Sequence, residues 1–324
     1  VRAIRFDGDR VVLDGRAPSP QPGPGQVLIR PLRMGVGEAD LHAIIRGQPG
    51  ILGREFVGVV EAIGPGADSA WIGRRVVASP GVACGGCDLC RRGLSRHCRS
   101  LALLGEGGHD GCFAEQLVVP AINLVEVPET VDDDAAVFAW PLGMALHTAH
   151  MLRVEGKPYV TVLGDRALGL LTAQVMSGLN ASVRLLGFSR RRLELCEKWG
   201  IKHRHADDAG RRADQDAVVV CTARPVDAQL ALELVRPRGT VVLTMGCEGV
   251  PLGPIVKHEL QVLGARSGSV SEAVVALAGG RYDVHSLITR RVRFEDGPTA
   301  VAAAREVGQI KVLLDAPRAV SAAA

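Results

Sequence analysis

At 324 residues and 47% hydrophobic content, the chain is long enough for two domains of ordinary size and a sizeable core. Its 38 basic and 35 acidic residues nearly cancel and form no long single-sign block, which argues against nucleic acid or a membrane surface as a partner. The most apolar long stretch, residues 135–152, carries Pro141, Gly143, His147 and His150, so no lipid-spanning helix is expected.

In chain order, VRAIRFDGDRVVL reads as two strands around a Gly-Asp turn. Arg2, Arg5 and Asp7 stand where a secretory leader needs an apolar run, and a cytoplasmic location is expected. Short apolar runs separated by turn signals follow (QVLIRPL, GVVEAIG, RRVVASP, EQLVVP) and indicate an all-β unit. After residue 130 strands alternate with helices. The segment 130–152 reads as a helix with an acidic first turn, YVTVLG as a buried strand, ALGLLTAQVMSGL as a helix and SVRLLGF as a strand. RRRLELCEKWG is a helix ending at Gly200, DAVVVCT a strand, DAQLALELVRPRG a helix over 227–239, and TVVLTMG a strand. This alternation implies an α/β class with a doubly wound parallel sheet.

Into the β part is inserted CGGCDLCRRGLSRHC, residues 84–98. In a reducing compartment a close cysteine cluster is better explained by metal than by disulfides. Cys84, Cys87, Cys90 and Cys98 supply four thiolates, the closed tetrahedral set of a structural zinc site with no position left for substrate. The alternative is a set of buried free thiols. Cys112, Cys196, Cys221 and Cys247 are scattered and read as small core hydrophobes.

VTVLGDRALGLL places a strand, a turn and a helix around Gly164, Arg166, Leu168 and Gly169. The first and third glycines of a dinucleotide-binding G-x-G-x-x-G are present, and arginine takes the middle place, where a side chain crowds the pyrophosphate. At the end of the next strand, where an acid would bind the adenine ribose of NAD, stands Gly187, followed by Ser189, Arg190, Arg191 and Arg192. A missing acid beside arginines favours a 2′-phosphate, hence NADP(H) over NAD(H). The other reading makes them solvated residues of a helix's first turn.

The chain resembles the medium-chain dehydrogenases/reductases, in the zinc alcohol dehydrogenase group nearest the threonine and sorbitol dehydrogenases. The resemblance is carried by GREFVGVVEAIG (53–64), the cysteine lobe, 111–131, PLGMALHTA (141–149), the 164–169 loop, RPRGTVVLTMG (236–246) and KHELQVLGARSG (257–268). It implies a GroES-like β domain over 1–135, a Rossmann domain over 136–269 and a segment 270–324 that returns to the first domain. It also implies a small-molecule substrate, a dimer or tetramer of like chains, and a cofactor site that includes the loops at Cys221, Thr222, Met245 and Gly246.

The three ligands of the family's catalytic metal are replaced. GVGEADLH has Gly37 for the cysteine and Ala39 for the relay hydroxyl, while Asp40 and His42 remain; Arg54 replaces the histidine before Glu55, and Trp140 replaces an acid. A catalytic zinc needs three protein ligands, so none is expected. An oxyanion formed by hydride transfer then needs a fixed charge or donors. Arg54, positioned by Glu55, and His42 are the candidates for catalysis of zinc-independent reduction of a small carbonyl or activated alkene, or the reverse oxidation of an alcohol. The alternative is a degenerate member that binds a nucleotide or partner without turnover, with Arg54 and Glu55 as an ion pair sealing the vacated pocket.

Overall fold

The longest strand, Gln26–Val36, is apolar at Val27, Ile29, Met34 and Val36, and all four are buried. That composition suits a strand flanked on both sides, and the computed structural model, which describes residues 1–107, 109–153 and 155–317, places it inside a sheet. The order is Leu124–Glu126, Arg75–Ala78, Glu55–Ile63, Gln26–Val36, Lys311–Asp315 and Ile288–Val292, with Leu117–Pro120 also paired to Gln26–Val36. All neighbours are antiparallel except the last pair. Ala3–Phe6 and Val11–Asp14 form the expected antiparallel hairpin. A core of Ile4, Phe6, Val27, Ile29, Phe113 and Phe294 fills this unit.

The second sheet is parallel and doubly wound, as the alternation predicts. Its order is Lys202–His205, Ser182–Gly187, Tyr159–Leu163, Gln215–Val220, Val235–Leu243 and Gln261–Gly264. The chain thus forms two units, one of Val1–Trp140, Val270–Gly280 and the segment from Ile288 onward, the other of Pro141–Ser269 and Arg281–Leu287. Among the described residues no helix is long and apolar enough to cross a membrane.

Two expectations need correction. The helix expected over 227–239 is Pro225–Leu234, and VRPRG opens the strand Val235–Leu243 instead. Pro237 has no N–H to give a helix, and it drives the residue before it to extended backbone. The single helix over 130–152 is two, Asp133–Ala136, capped by the Asp132 carboxylate on the Ala135 N–H, and Ala139–Leu152. Pro141 sits in the first turn of the longer helix, where its missing N–H has no partner to lose. The strand Lys202–His205 escapes a reading by apolar runs because KHRH has no apolar residue; charge of this kind protects a sheet edge.

Candidate functional site

The cysteine lobe is built by turns. Gly85 takes φ +72°, and Cys87 caps the short helix Asp88–Arg91. Arg99 clasps Asp88 with two bonds, 2.7 and 2.9 Å, which holds the loop's ends together. The four sulfurs lie within 4.8 Å of one another. Cys87 to Cys90 is 3.5 Å, Cys87 to Cys98 3.9 Å and Cys98 to Cys84 3.4 Å. A tetrahedron with zinc–sulfur arms has edges of about 3.8 Å, so the donor set fits that ion. These distances are far beyond a disulfide bond, and all four cysteines are free. Backbone N–H groups of Arg99 and Cys90 pull the Cys87 thiol down to about 6, while burial and neighbouring thiols push Cys90 up to about 12. One thiolate therefore disfavours the next until a dication is added.

Gly37, Arg54 and Trp140, where the resemblance expects metal ligands, lie in the first unit. Gly37 ends the strand Gln26–Val36 and precedes the helix Glu38–Ile45. Asp40, wholly buried, accepts from the Gly37 N–H at 2.8 Å and the Gly53 N–H at 3.0 Å, tying the helix to the approach of the strand Glu55–Ile63. His42 is half-buried two residues further along that helix, a spacing that turns the two side chains to different sides. Trp140 is half-buried at the second position of Ala139–Leu152.

Glu55 is where the structure departs most from the sequence reading. The expected Arg54–Glu55 partnership is not formed, since neighbouring residues entering a strand project to opposite faces. Glu55 Oε2 instead receives Lys311 Nζ at 2.5 Å, with the two side chains 7% and 2% exposed. Their strands flank Gln26–Val36, whose Gly35 pairs with Glu55 on one side and Leu313 on the other. The ion pair passes over that glycine: a Cβ there would lie 3.2 Å from Glu55 Oε2, 3.4 Å from Lys311 Cδ and 2.6 Å from Val137. A Cβ on Gly37 would stand 2.5 Å from Glu55 Oε1, so the glutamate occupies the space a cysteine side chain would need. Lys311 Nζ also lies 5.6 Å from the Phe138 ring centre. Burial raises the Glu55 and Asp40 carboxyls above their ordinary range, opposed at Glu55 first by Lys311 and at Asp40 first by Arg54.

Arg54 is 6% exposed. Its Nη1 lies 3.2 Å from Glu106 Oε2, and the other Glu106 oxygen takes Arg46 at 2.8 Å. Arg54 Nε and Nη2 are buried with no hydrogen-bond partner among the described residues. Leaving such a donor unmet costs about 1–3 kcal/mol, more for a charged group, so this guanidinium carries unused donor capacity. Sequence reasoning missed Lys311 and Glu106. A lone lysine opening the apolar KVLL was a signal for the first; nothing local marks the second.

In the second unit, Tyr159–Leu163 runs into Gly164, at φ +121°, and then into the helix Ala167–Ser177, with Arg166 at its N-cap. A Cβ on Gly169 would stand 2.0 Å from the Gly164 carbonyl oxygen, so the close turn demands glycine there. Gly164 lies against Cys221 and Thr222, and the Cys221 N–H reaches the Leu163 carbonyl at 2.8 Å. Leu163, Val220 and Leu243 end adjacent strands, which brings the Gly164, Cys221–Thr222 and Met245–Gly246 loops to one edge of the sheet. Cys221 and Leu168 have buried side chains, the Leu168 carbonyl accepts from Thr172 Oγ1 at 2.7 Å, and Thr222 Oγ1 donates to Asp227 at 2.6 Å.

Gly187 is a glycine because of Asp165. A Cβ at Gly187 would meet the Asp165 Cβ at 2.7 Å and its Oδ2 at 2.8 Å. That oxygen accepts from the Phe188 and Ser189 N–H groups, and Oδ1 takes Arg192 at 3.0 Å. The acid sought at the end of Ser182–Gly187 thus comes from the glycine loop, but it is 1% exposed and already engaged by three donors. Arg190 and Arg191, in the first turn of Arg190–Lys198, are exposed.

Residues 23–129 match the alcohol dehydrogenase GroES-like domain. The chain is 31% identical over 325 residues to an L-threonine 3-dehydrogenase of Streptomyces avermitilis, covering 92% of this chain and 94% of that one. A zinc-binding dehydrogenase structure from Sinorhizobium meliloti, bound to NADP, superposes with a TM-score of 0.87 at 27% identity over 97% of this chain and 98% of that one. The alcohol dehydrogenase rspB of Escherichia coli, complexed with NADH, gives 0.88 at 27% identity over 97% and 98%. With its antiparallel sheet, its doubly wound sheet and these relatives along its length, the chain belongs to the zinc alcohol dehydrogenase-like group of the medium-chain dehydrogenases/reductases, a family of oxidoreductases.

Proposed function

We propose that this chain carries out hydride transfer between NADP(H) and a small alcohol, carbonyl or activated alkene without a catalytic zinc, with Arg54 carrying the charge the metal would supply. The observation that carries this reading is the Arg54 guanidinium, 6% exposed with two buried N–H-bearing atoms unpartnered, at the position of a family metal ligand. The nicotinamide, when bound, supplies or accepts the hydride. As the carbonyl carbon gains it, the π pair moves onto oxygen, and Arg54 stabilises that charge in a site of low dielectric constant. Arginine keeps its proton, so the proton completing the alcohol comes from solvent. Asp40 lies near enough for the Arg54 charge to oppose the rise that burial causes in its carboxyl, Glu55 is held by Lys311, and His42 is the remaining polar candidate on the same helix as Asp40. The relatives' names as dehydrogenases favour turnover over a non-catalytic binder. Homo-oligomerisation and a cytoplasmic location belong to the same reading.

For the cofactor, the glycine turn supports a dinucleotide, and exposed Arg190 and Arg191 beside a fully engaged Asp165 support the 2′-phosphate form. NADPH is expected to bind more tightly than NADH in calorimetric titrations, and to be oxidised in the presence of aldehydes, ketones, enones or quinones. Replacing Arg190 and Arg191 by alanine narrows the gap by removing charge-assisted bonds. Equal affinities in the unaltered protein would overturn the NADP assignment, and absence of turnover with all four substrate classes would overturn the reading as a whole.

Zinc at Cys84, Cys87, Cys90 and Cys98 holds the lobe in this reading, leaving no position for substrate. Elemental analysis is expected to return one zinc per chain, and Cys87→Ser to lower both zinc content and thermal stability, since metal binding of this type contributes folding free energy. Two zinc ions per chain would contradict the loss of the catalytic metal.

A further inference from the structure

A pocket of about 620 Å³ lies at the free edge of the parallel sheet formed by Lys202–His205, and the proposed hydride chemistry does not use it. Its origin is topological. From Tyr159–Leu163 the chain winds outward to Ser182–Gly187 and Lys202–His205, so right-handed crossovers put the helices Ala167–Ser177 and Arg190–Lys198 on one face. Pro225–Leu234 covers the other face, chiefly over Gln215–Val220 and Val235–Leu243, and its Ala231 and Leu232 share a core with Leu163 and Leu186 where those strands end. The link 206–214 between Lys202–His205 and Gln215–Val220 holds no α-helix, only the turn Ala206–Asp208. The face is left open only around Arg184 and Lys202, toward the start of the two edge strands.

Basic side chains line this opening. Thr161, Arg184 and Lys202 are register partners across three parallel strands and so share a face, and Arg204 is two residues beyond Lys202. Arg212 comes from the link, and Asp214 is the pocket's one carboxylate. Four cations therefore face one acid, Asp214, which acts on Arg184 through its charge and without a direct ion pair among the described residues. Arg184 is half-buried and fixed: its Nε and Nη2 donate to the wholly buried Thr161 Oγ1 at 3.3 and 3.1 Å. Thr161 in turn donates to Gln215 Oε1 at 2.7 Å, and Gln215 Nε2 to Asp214 at 2.7 Å. A preordered guanidinium among exposed cations suits a phosphate group, whose oxygens accept several charge-assisted bonds at once.

We propose that this pocket is a binding site for a polyphosphate anion. The volume is that of a small-molecule site, and the charge excess calls for a ligand of more than one negative charge. Burial disfavours the Arg184 charge, Asp214 partly offsets this and Arg204 adds to it, so the net effect still lowers the Arg184 pKa and a bound anion would oppose it. The site lies where the strands begin, beside Lys202 and Asp214, whereas the glycine loop lies where Tyr159–Leu163 ends. It is thus separate from the dinucleotide site and does not depend on the proposed hydride transfer.

Inorganic tripolyphosphate is the probe. Titrated by calorimetry into the zinc-loaded full chain, it is expected to bind at one site per chain, more weakly as salt is added. Lys202→Ala with Arg212→Ala, both exposed, lowers the affinity about tenfold or more, and Arg190→Ala with Arg191→Ala leaves it unchanged. Failure to bind would overturn the proposal and leave these charges as guards against edge-to-edge strand pairing. A loss of affinity that follows Arg190 and Arg191, and not Lys202 and Arg212, would overturn it as well by placing the anion in the dinucleotide site.

Discussion

Arg54→Met is expected to reduce turnover by about a hundredfold or more, the scale on which removal of one preorganised donor acts, while cofactor affinity stays nearly unchanged. Methionine keeps much of the side chain's length and apolar contact and removes the charge. Among the described residues the guanidinium hydrogen-bonds only to Glu106, and that acid retains Arg46 when Arg54 is gone. The fold should therefore tolerate the change, and a thermal melt of the variant checks that it does. Steady-state kinetics with NADPH and the best substrate of the panel then separate the roles: a fall in kcat with an unaltered cofactor titration assigns Arg54 to the transition state, whereas an unchanged rate excludes it as the electrophile. Rebuilding the family ligands by Gly37→Cys, Arg54→His and Trp140→Glu is a harder route to the same question, because the Glu55 carboxylate must first leave the space over Gly37.

The second large effect is on stability. Lys311→Met leaves Glu55 as a buried carboxylate without its cation, and urea unfolding is expected to show a loss of about 3–5 kcal/mol, the usual result of breaking one side of a buried pair. Replacing both members, Glu55→Leu with Lys311→Met, costs much less, because no charge is then stranded. The single-variant deficit depends on pH with a defined sign. Burial already raises the Glu55 carboxyl above its ordinary 4.5, and loss of Lys311, the largest opposing influence, raises it further. A group raised on folding contributes stability that is fully present below its unfolded pKa and is lost as pH rises through the folded value. The deficit should therefore shrink as pH is lowered toward 4.5. A deficit that is flat with pH would mean that Glu55 does not depend on Lys311 for its charge.

Local chemistry made several features of this protein readable from sequence. Four cysteines within residues 84–98 are close because the chain between them is short, and Gly164 and Gly169 must be glycines because one tight turn brings them together. The βαβ alternation was legible because buried parallel strands are continuous apolar runs, and it failed where that rule fails, at the charged edge strand KHRH. The resemblance likewise marked Gly37, Arg54 and Trp140 by position as standing where it expects metal ligands. The partners of the residues left behind were not legible. Glu55 meets Lys311 across 256 positions because their strands flank Gly35, Arg54 meets Glu106 across 52, and Asp165 reaches under Gly187 to hold the N–H groups of Phe188 and Ser189. Each pairing depends on sheet register, and on which glycine leaves room for a neighbour's side chain. Residue type and spacing thus decided what chemistry the chain carries, while tertiary structure alone decided which charge faces which, because strand pairing brings together residues that chain distance keeps apart.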